Sequence, residues 1–209
     1  MKRILCYGDS LTWGLNPSDW SRYEPDQTWT GELQKNLGSD YQVITESLPG
    51  RTTCFNSPFL PYRSGADSLP MILESHSPLN LVIFFLGIND MNKSLNADAE
   101  KSAWGLFSLI RLVLFNNSGY NFLPPKILVI SPPPIGKLSE FMSMSFAGNE
   151  SESLKLYENY KKVCDLFAIP IINSADYVKV SEIDGLHLEP GEQLKLGKII
   201  SEKVLSMNI

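Results

Sequence analysis

The chain has 209 residues, of which 43% are hydrophobic and 20% charged, a balance typical of one globular domain over residues 1–209. Its formal net charge of −5 and the lack of any run of Lys and Arg argue against the concentrated basic face that nucleic-acid binding requires, so we expect no nucleic-acid partner. The longest apolar segment, residues 103–115, is shorter than a bilayer span and contains Arg111, so we expect no membrane-spanning helix.

The numbers and positions of cysteine and histidine narrow the class of protein further. Three scattered cysteines, Cys6, Cys54 and Cys164, predict free thiols and not a disulfide framework. With two histidines in the whole chain and no pair at metal-ligand spacing, we expect no metal site. The N-terminal segment lacks the apolar length and the cleavage site of a signal peptide. These features favour a cytoplasmic, metal-free protein.

Short apolar runs alternate along the chain with amphipathic stretches. In chain order they predict a strand at residues 3–7, a helix at 28–37, strands at 41–46 and 80–86, a helix at 97–115, a strand at 126–130, a helix at 153–167, a strand at 169–172 and a helix at 191–205. This alternation indicates an α/β fold with a central parallel sheet covered on both faces. The least regular span, residues 135–149, is expected to form a loop or lid over a site, or an ordinary packed connection.

Polar residues follow three of the predicted strands, at the edge where open α/β sheets place their ligands. Ser10 follows the first strand, in a segment whose glycines allow a tight turn that would expose a nucleophilic hydroxyl. Asn89 follows the central strand and has a side-chain N–H donor suited to an oxyanion, and Gly50 follows the second strand with a backbone N–H. Each segment taken alone also fits ordinary turn or capping chemistry.

An acid–base pair lies just before the last predicted helix. Asp184 precedes His187 by three residues, so its carboxylate can fix the imidazole tautomer and leave the other ring nitrogen as a general base toward a serine. His76 has Leu73 at the same offset and is expected at the surface. Asp90 is expected to brace its loop, because an anion beside an oxyanion would oppose the reaction. Nucleophile, donors and acid–base pair together make the set that acyl transfer needs.

In this order these residues resemble the signature blocks of the SGNH (GDSL) hydrolase superfamily. The blocks are Ser10 in GDSL, Gly50 in PGRTT, Asn89 in GIND, and Asp184 with His187 in DGLH. They extend from residue 8 to residue 187, nearly the whole chain. The resemblance is closest to the aryl-esterase and acyltransferase branch, on the segments GDSLTWG, WTG, GRTT and SPPP.

The resemblance implies a flavodoxin-like three-layer α/β/α sandwich that needs no cofactor. It implies a catalytic triad of Ser10, Asp184 and His187, with the oxyanion hole formed by Ser10, Gly50 and Asn89. It further implies a small-molecule ester as substrate, with short acyl chains, acyl transfer to alcohols in some members, and assembly into a homo-oligomer.

Trp13 lies immediately after the nucleophile segment and is interpreted either as a wall of the acyl pocket or as a large core anchor.

Two positions depart from the family pattern. Ile88 stands where the family often has Thr, which leaves the donor role of Asn89 intact. The Gly50 block lacks the Asn-x-Gly lead-in of other branches, so its assignment follows the esterase branch alone. Residues 135–149, which would shape the acyl and alcohol pockets, have little to match.

Four other functions stay open at this stage. A carbohydrate O-acetylesterase, a thioesterase or a lysophospholipase would use the same machinery on other esters or thioesters. A non-catalytic binding domain on the same fold is the alternative outside the enzymes, since a fold alone does not imply a function. The complete set of five residues argues against it.

Overall fold

The computed structural model describes all 209 residues and contains a central sheet of five strands. The strands are β1 (Lys2–Gly8), β2 (Tyr41–Ser47), β3 (Leu81–Phe85), β4 (Lys126–Ser131) and β5 (Ile171–Asn173). Every neighbouring pair is parallel, and the order across the sheet is β2-β1-β3-β4-β5. This is the flavodoxin-like order, and it confirms the parallel α/β sheet expected from the sequence.

Helices cover both faces of the sheet and complete a three-layer sandwich. They are α1 (Ser10–Trp13), α2 (Trp29–Leu37), α3 (Gly65–Ser75), α4 (Ala99–Leu114), α5 (Glu140–Phe146), α6 (Glu150–Ser153), α7 (Leu156–Leu166) and α8 (Pro190–Ser206). Helices α2 and α8 pack against each other, and α4 packs against both α3 and α7. No helix is both long enough and apolar enough to cross a bilayer.

The interior position of β1 and β3 explains their continuous apolar sequences, because side chains on both faces of such strands meet helices. All five residues of β3 are buried, and so are Ile4 to Gly8 of β1. Edge strand β2 is half-buried along its whole length. The fully buried ends of β1 and β3 therefore lie directly before the loops that follow these strands.

Four helices were not predicted from the sequence: the short α1 and α6, and the longer α3 and α5. Helix α3 contains Pro70, which cannot donate the usual backbone hydrogen bond and is unfavourable inside a helix. Burial of Leu69, Ile72 and Leu73 against the core offsets that loss. The span 135–149, expected to be irregular, contains helix α5, which buries Met142.

The cysteines are all free. Cys6 and Cys164 are buried, and Cys54 is half-buried. Burial raises the pKa of the Cys164 thiol to about 12 and that of Cys6 still higher, so both remain protonated and unreactive at neutral pH.

Candidate active site

The site lies where the strand order reverses. β2 pairs with one side of β1 and β3 with the other, so the loops that follow β1 and β3 diverge and open a crevice at the carboxyl end of the sheet. Ser10 begins α1 two residues after β1 ends, and Asn89 lies in a 3₁₀ turn, Ile88–Met91, after β3. The fold thus brings these two residues to the same edge.

Ser10, His187 and Asp184 form a continuous hydrogen-bonded chain. His187 Nε2 lies 2.9 Å from Ser10 Oγ, and His187 Nδ1 lies 2.5 Å from Asp184 Oδ2. Each of the three residues is only 3% exposed, so the chain is shielded from bulk water. This arrangement can move a proton from the hydroxyl to the imidazole while the carboxylate stabilises the resulting cation.

The Asp184 carboxylate is held by its own loop. Its Oδ1 accepts backbone N–H groups from Leu186 at 2.9 Å and His187 at 3.0 Å. Burial by itself would raise the pKa of Asp184, but the hydrogen bonds and charge of His187 and the backbone donors outweigh it, so the pKa falls below its ordinary value. Asp184 is therefore ionised and fixes the orientation of the histidine ring.

The segment before α5 braces the triad loop from outside. Gly136 donates its N–H to the Gly185 carbonyl at 2.8 Å, and Ser139 donates to the Asp184 carbonyl at 3.2 Å. Gly185 has a φ of +76°, and a Cβ at this position would lie 2.3 Å from the Lys137 carbonyl oxygen. Only glycine fits so close an approach, which locks the two segments together.

The turn that presents Ser10 is held by the residue before it. Asp9 caps α1, and its Oδ1 accepts the Leu11 N–H at 2.9 Å. Gly8 leaves room for the turn, since a Cβ there would lie 2.0 Å from Thr12 Oγ1. These local contacts fix the nucleophile segment to the end of β1.

The predicted oxyanion donors approach the same point. Asn89 Nδ2 donates to Asp9 Oδ2 at 3.2 Å and to the Arg51 carbonyl at 3.1 Å, so the Asn89 block contacts the residues that adjoin Ser10 and Gly50. The Gly50 backbone N–H has no hydrogen-bond partner within the protein, and its φ of +78° suits glycine. The Asn89 amide group would therefore donate to an oxyanion in addition to, or in place of, these two long hydrogen bonds.

Arg51 is a structural member of the site that sequence reasoning missed. Its Nη1 donates to the Gly8 carbonyl at 3.0 Å and to the Glu46 carbonyl at 2.8 Å, and Cζ lies 4.2 Å from the Tyr7 ring centroid. The residue is 5% exposed, and burial lowers the pKa of its guanidinium. In the sequence, Arg51 stood out only as part of the GRTT segment. Its structural role could not be predicted, because its partners are backbone carbonyls of β1 and β2.

Asp90 braces its loop, in agreement with the sequence analysis. Its carboxylate accepts Thr53 N–H at 2.8 Å, Thr53 Oγ1 at 2.7 Å and Ser102 Oγ at 2.6 Å. Burial raises the pKa of Asp90 to about 6, and burial together with the neighbouring Asp90 charge raises that of Asp9 to about 7. Two buried carboxyl groups thus lie beside Asn89, one of the predicted oxyanion donors.

Two aromatic residues flank the site in different ways. Trp13 is half-buried, and the Arg22 guanidinium lies 5.1 Å from its ring centroid. Trp20, which the sequence analysis did not single out, stands edge-on to the His187 ring at 6.3 Å. No local motif marks Trp20, so only the folded loop reveals it.

The second histidine lies elsewhere. His76 is half-buried and contacts Glu46 Oε1 at 2.7 Å, so it is less exposed than the surface position expected from the sequence. The structure contains no group of three or more His, Cys, Asp or Glu side chains that could hold a metal ion.

Comparison with known proteins identifies the family of this chain. The sequence matches the GDSL-like lipase/acylhydrolase family over residues 6–190. The aryl esterase of M. smegmatis is 35% identical with a TM-score of 0.94, and 99% of each chain is covered. A carbohydrate acetylesterase from Sinorhizobium meliloti is 34% identical with a TM-score of 0.95, over 99% of this chain and 100% of that one. A search of curated protein sequences found no significant match.

A more distant structure, the lipase/acylhydrolase from Enterococcus faecalis, shares the fold at a TM-score of 0.69 and 18% identity, over 99% of this chain and 97% of that one. The fold and these matches define a carboxylic ester hydrolase. The chain belongs to the GDSL-like lipase/acylhydrolase family, as the resemblance noted in the sequence implied.

Proposed function

We propose that the protein hydrolyses short-chain carboxylic esters through an acyl-enzyme intermediate on Ser10. The observation that carries this proposal is the buried chain from Ser10 Oγ through His187 to Asp184, with distances of 2.9 and 2.5 Å. A hydroxyl becomes a useful nucleophile when an adjacent base accepts its proton and a third group orients that base.

In the first half of the reaction, Ser10 Oγ attacks the ester carbonyl carbon while its proton moves to His187 Nε2. The negative charge that develops on the carbonyl oxygen accepts hydrogen bonds from the backbone N–H groups of Ser10 and Gly50 and from the Asn89 amide. When the tetrahedral intermediate collapses, the ester C–O bond breaks and His187 returns its proton to the leaving oxygen. The free alcohol departs and the acyl group stays on Ser10.

The second half repeats these steps with another nucleophile. Water gives a proton to His187 Nε2 as it attacks the acyl carbon. The bond between the acyl carbon and Ser10 Oγ then breaks, His187 returns the proton to Oγ, and the carboxylic acid is released. An alcohol that enters in place of water yields a new ester by acyl transfer. The low exposure of the triad supports this transfer, because a shielded site limits competition from water.

The proposed substrates are aryl or alkyl esters with short acyl chains. The aryl esterase relative supports this class, and Trp13, beside the nucleophile turn, is proposed as a wall of the acyl pocket. An acetylated carbohydrate is the second candidate, supported by the similarity to a carbohydrate acetylesterase. Comparing turnover of phenyl acetate with that of an acetylated sugar separates the two candidates.

The test of the nucleophile compares wild type with Ser10→Ala on 4-nitrophenyl acetate, with Ser108→Ala on helix α4 as a control. Ser10→Ala should lose nearly all activity, and an organophosphonate should label Ser10 in the wild type only. Retained activity in Ser10→Ala would show that Ser10 is not the nucleophile. An inactive wild type that forms no organophosphonate adduct would favour a non-catalytic binding domain. Asp184→Asn should lose most activity while staying folded.

Acyl-chain length tests the remaining alternatives. Activity that declines steeply beyond butyrate esters supports the proposed short-chain class. Higher activity on acyl thioesters or on lysophospholipids would replace it with a thioesterase or a lysophospholipase.

We further propose that residues 1–209 form one domain and that copies of it associate. One cluster of 44 buried residues, which includes residues of β1, β3, β4 and β5, supports the single domain. Four aromatic side chains that are more than three-quarters exposed support association: Phe59, Tyr62, Phe115 and Phe122. Light scattering of the purified protein tests this, and a monomer at all concentrations would contradict it.

A further inference from the structure

The loop that follows α1 holds Trp20 in an unusual backbone conformation. Trp20 has a φ of +65°, in the left-handed region that a bulky residue rarely occupies. The loop is closed by two backbone hydrogen bonds of 2.9 Å, from Trp20 N–H to the Asn16 carbonyl and from Asn16 N–H to the Ser21 carbonyl. Conformations of this kind persist where the surrounding structure fixes them, often beside a functional site.

The loop directs the indole of Trp20 toward the catalytic centre. The ring stands edge-on to His187 at 6.3 Å and 69°, and edge-on to Phe141 at 5.1 Å and 88°. Trp20 is 48% exposed and Phe141 62% exposed, whereas His187 is 3% exposed. Two accessible aromatic rings therefore pack against each other, and one of them, Trp20, lies against the buried imidazole.

Phe141 is also held in place by the triad. It lies in the first turn of α5, whose N-cap residue Ser139 donates its backbone N–H to the Asp184 carbonyl at 3.2 Å. The two rings thus come from different segments of the site, Trp20 from the loop after α1 and Phe141 from the segment that contacts Asp184. Their relation to the reacting atoms is set by the same contacts that position the triad.

The proton transfers of the mechanism decide which part of the ester meets these rings. His187 Nε2 must reach the leaving oxygen to protonate it, so the group attached to that oxygen lies on the histidine side of the carbonyl carbon. The acyl chain points away from that side. A ring in contact with His187 consequently borders the leaving group.

The polar groups of the loop are bound to one another. Asp19 Oδ1 accepts both the N–H of Ser21 at 2.9 Å and its hydroxyl at 2.6 Å. Arg22 Nε donates to the Trp13 carbonyl at 3.0 Å, and its guanidinium lies over the Trp13 ring. These polar groups are therefore engaged within the loop, and the loop presents the aromatic ring of Trp20 to His187, which suits a flat apolar group better than a sugar with many hydroxyls.

We propose that Trp20 and Phe141 form the binding surface for the leaving group of the ester, and that this surface selects aromatic alcohols over small aliphatic ones. The inference rests on the proposed function, since it needs His187 as the proton donor to the leaving oxygen. Trp20 is then a specificity-determining residue, and the structure extends the site beyond the family's signature blocks.

The test uses Trp20→Asn and Trp20→Phe on three acetates: phenyl, 2-naphthyl and ethyl. Asparagine tolerates a positive φ, so Trp20→Asn removes the ring without straining the loop. An aromatic contact of this kind changes rates by about two- to tenfold. Trp20→Asn should lower kcat/KM for both aryl acetates by that factor and should change kcat/KM for ethyl acetate less than about twofold. Trp20→Phe should recover part of the loss on the aryl acetates.

Matched controls separate the possible outcomes. Trp104→Phe, on the exposed face of α4, should leave all three rates unchanged. An equal loss on all acetates would mean that the indole only supports His187, and a loss that varies with acyl length would place the ring on the acyl side. Either result overturns the inference while leaving the nucleophile assignment intact, because that assignment depends on Ser10→Ala alone.

Discussion

Asn89 donates its side-chain amide to the Arg51 carbonyl at 3.1 Å and so joins the loop after β3 to the loop after β2, across β1. The Arg51 guanidinium turns back and donates to the Gly8 carbonyl at 3.0 Å, at the end of β1. The three loops that carry Ser10, Gly50 and Asn89 are therefore one hydrogen-bonded unit. A change in any of them should affect the oxyanion donors as a group.

Asn89→Ala removes the proposed side-chain donor. We expect kcat to fall by about 10²- to 10³-fold with KM nearly unchanged, because the hydrogen bond strengthens only as negative charge develops on the carbonyl oxygen. Steady-state kinetics on an aryl acetate measure this, and thermal unfolding verifies that the variant is folded. A loss in kcat of less than about tenfold would remove Asn89 from the oxyanion hole.

Arg51→Met tests the buried guanidinium as a positioning residue. Losing its hydrogen bonds to Gly8 and Glu46 should lower the free energy of unfolding by about 2 kcal/mol. It should also lower kcat more than it raises KM, because the oxyanion donors lose their common support. Arg51→Lys should recover part of both losses, since an ammonium can reach one of the two carbonyls. Full kcat in a folded Arg51→Met protein would contradict the role, and Arg111→Met on the exposed face of α4 is the control.

The signature residues could be predicted because each lies beside a strand end or a helix start that the sequence marks locally. The apolar run of residues 80–86 predicted β3, and Ser10 and Asn89 follow their strands as expected for an open parallel sheet. His187 could be assigned from its spacing to Asp184. The distance from His187 to Ser10 could not, since 177 residues separate them and only the folded chain brings them together.

The residues that sequence reasoning missed have partners distant in the chain. Arg51 contacts backbone carbonyls of β1 and β2. Trp20 contacts Phe141, which lies in the short helix α5, within a span that the sequence analysis expected to be irregular. Helix α5 has seven residues and takes its position from contacts with the triad loop, so its own periodicity carries little information. Tertiary contacts decided each of these cases.

Gly185→Ala tests the brace on the triad loop. A Cβ would lie 2.3 Å from the Lys137 carbonyl oxygen, and the φ of +76° disfavours alanine, so the segment before α5 must move away. We expect a lower melting temperature and at least a tenfold loss of kcat, on the order of what a misplacement of the histidine causes. Gly191→Ala, in α8, is the matched control, because a Cβ there meets nothing within 4 Å. Equal melting temperatures and activities for the two variants would show that the brace has no effect.

Asp90→Asn tests how much the buried carboxyl group of Asp90 changes the free energy of unfolding with pH. Burial raises the pKa of Asp90 from 3.8 to about 6, so between these values the folded protein holds a proton that the unfolded chain has lost. The contribution of Asp90 to stability is thus fully present below about pH 4 and is lost as the pH rises through about 6. The loss is on the order of 3 kcal/mol, since each pKa unit corresponds to about 1.4 kcal/mol.

Urea unfolding between about pH 4 and pH 7 measures the effect. Asparagine can still accept the Thr53 N–H and can donate to a hydroxyl, so the variant should fold with a flatter pH dependence than wild type. Asp9, whose pKa is raised to about 7, keeps a residual slope of the same sign. Asp165→Asn, at an exposed position, should leave the wild-type slope unchanged. A wild-type slope in Asp90→Asn would mean that Asp90 stays ionised throughout this range, stabilised by its hydrogen bonds from Thr53 and Ser102.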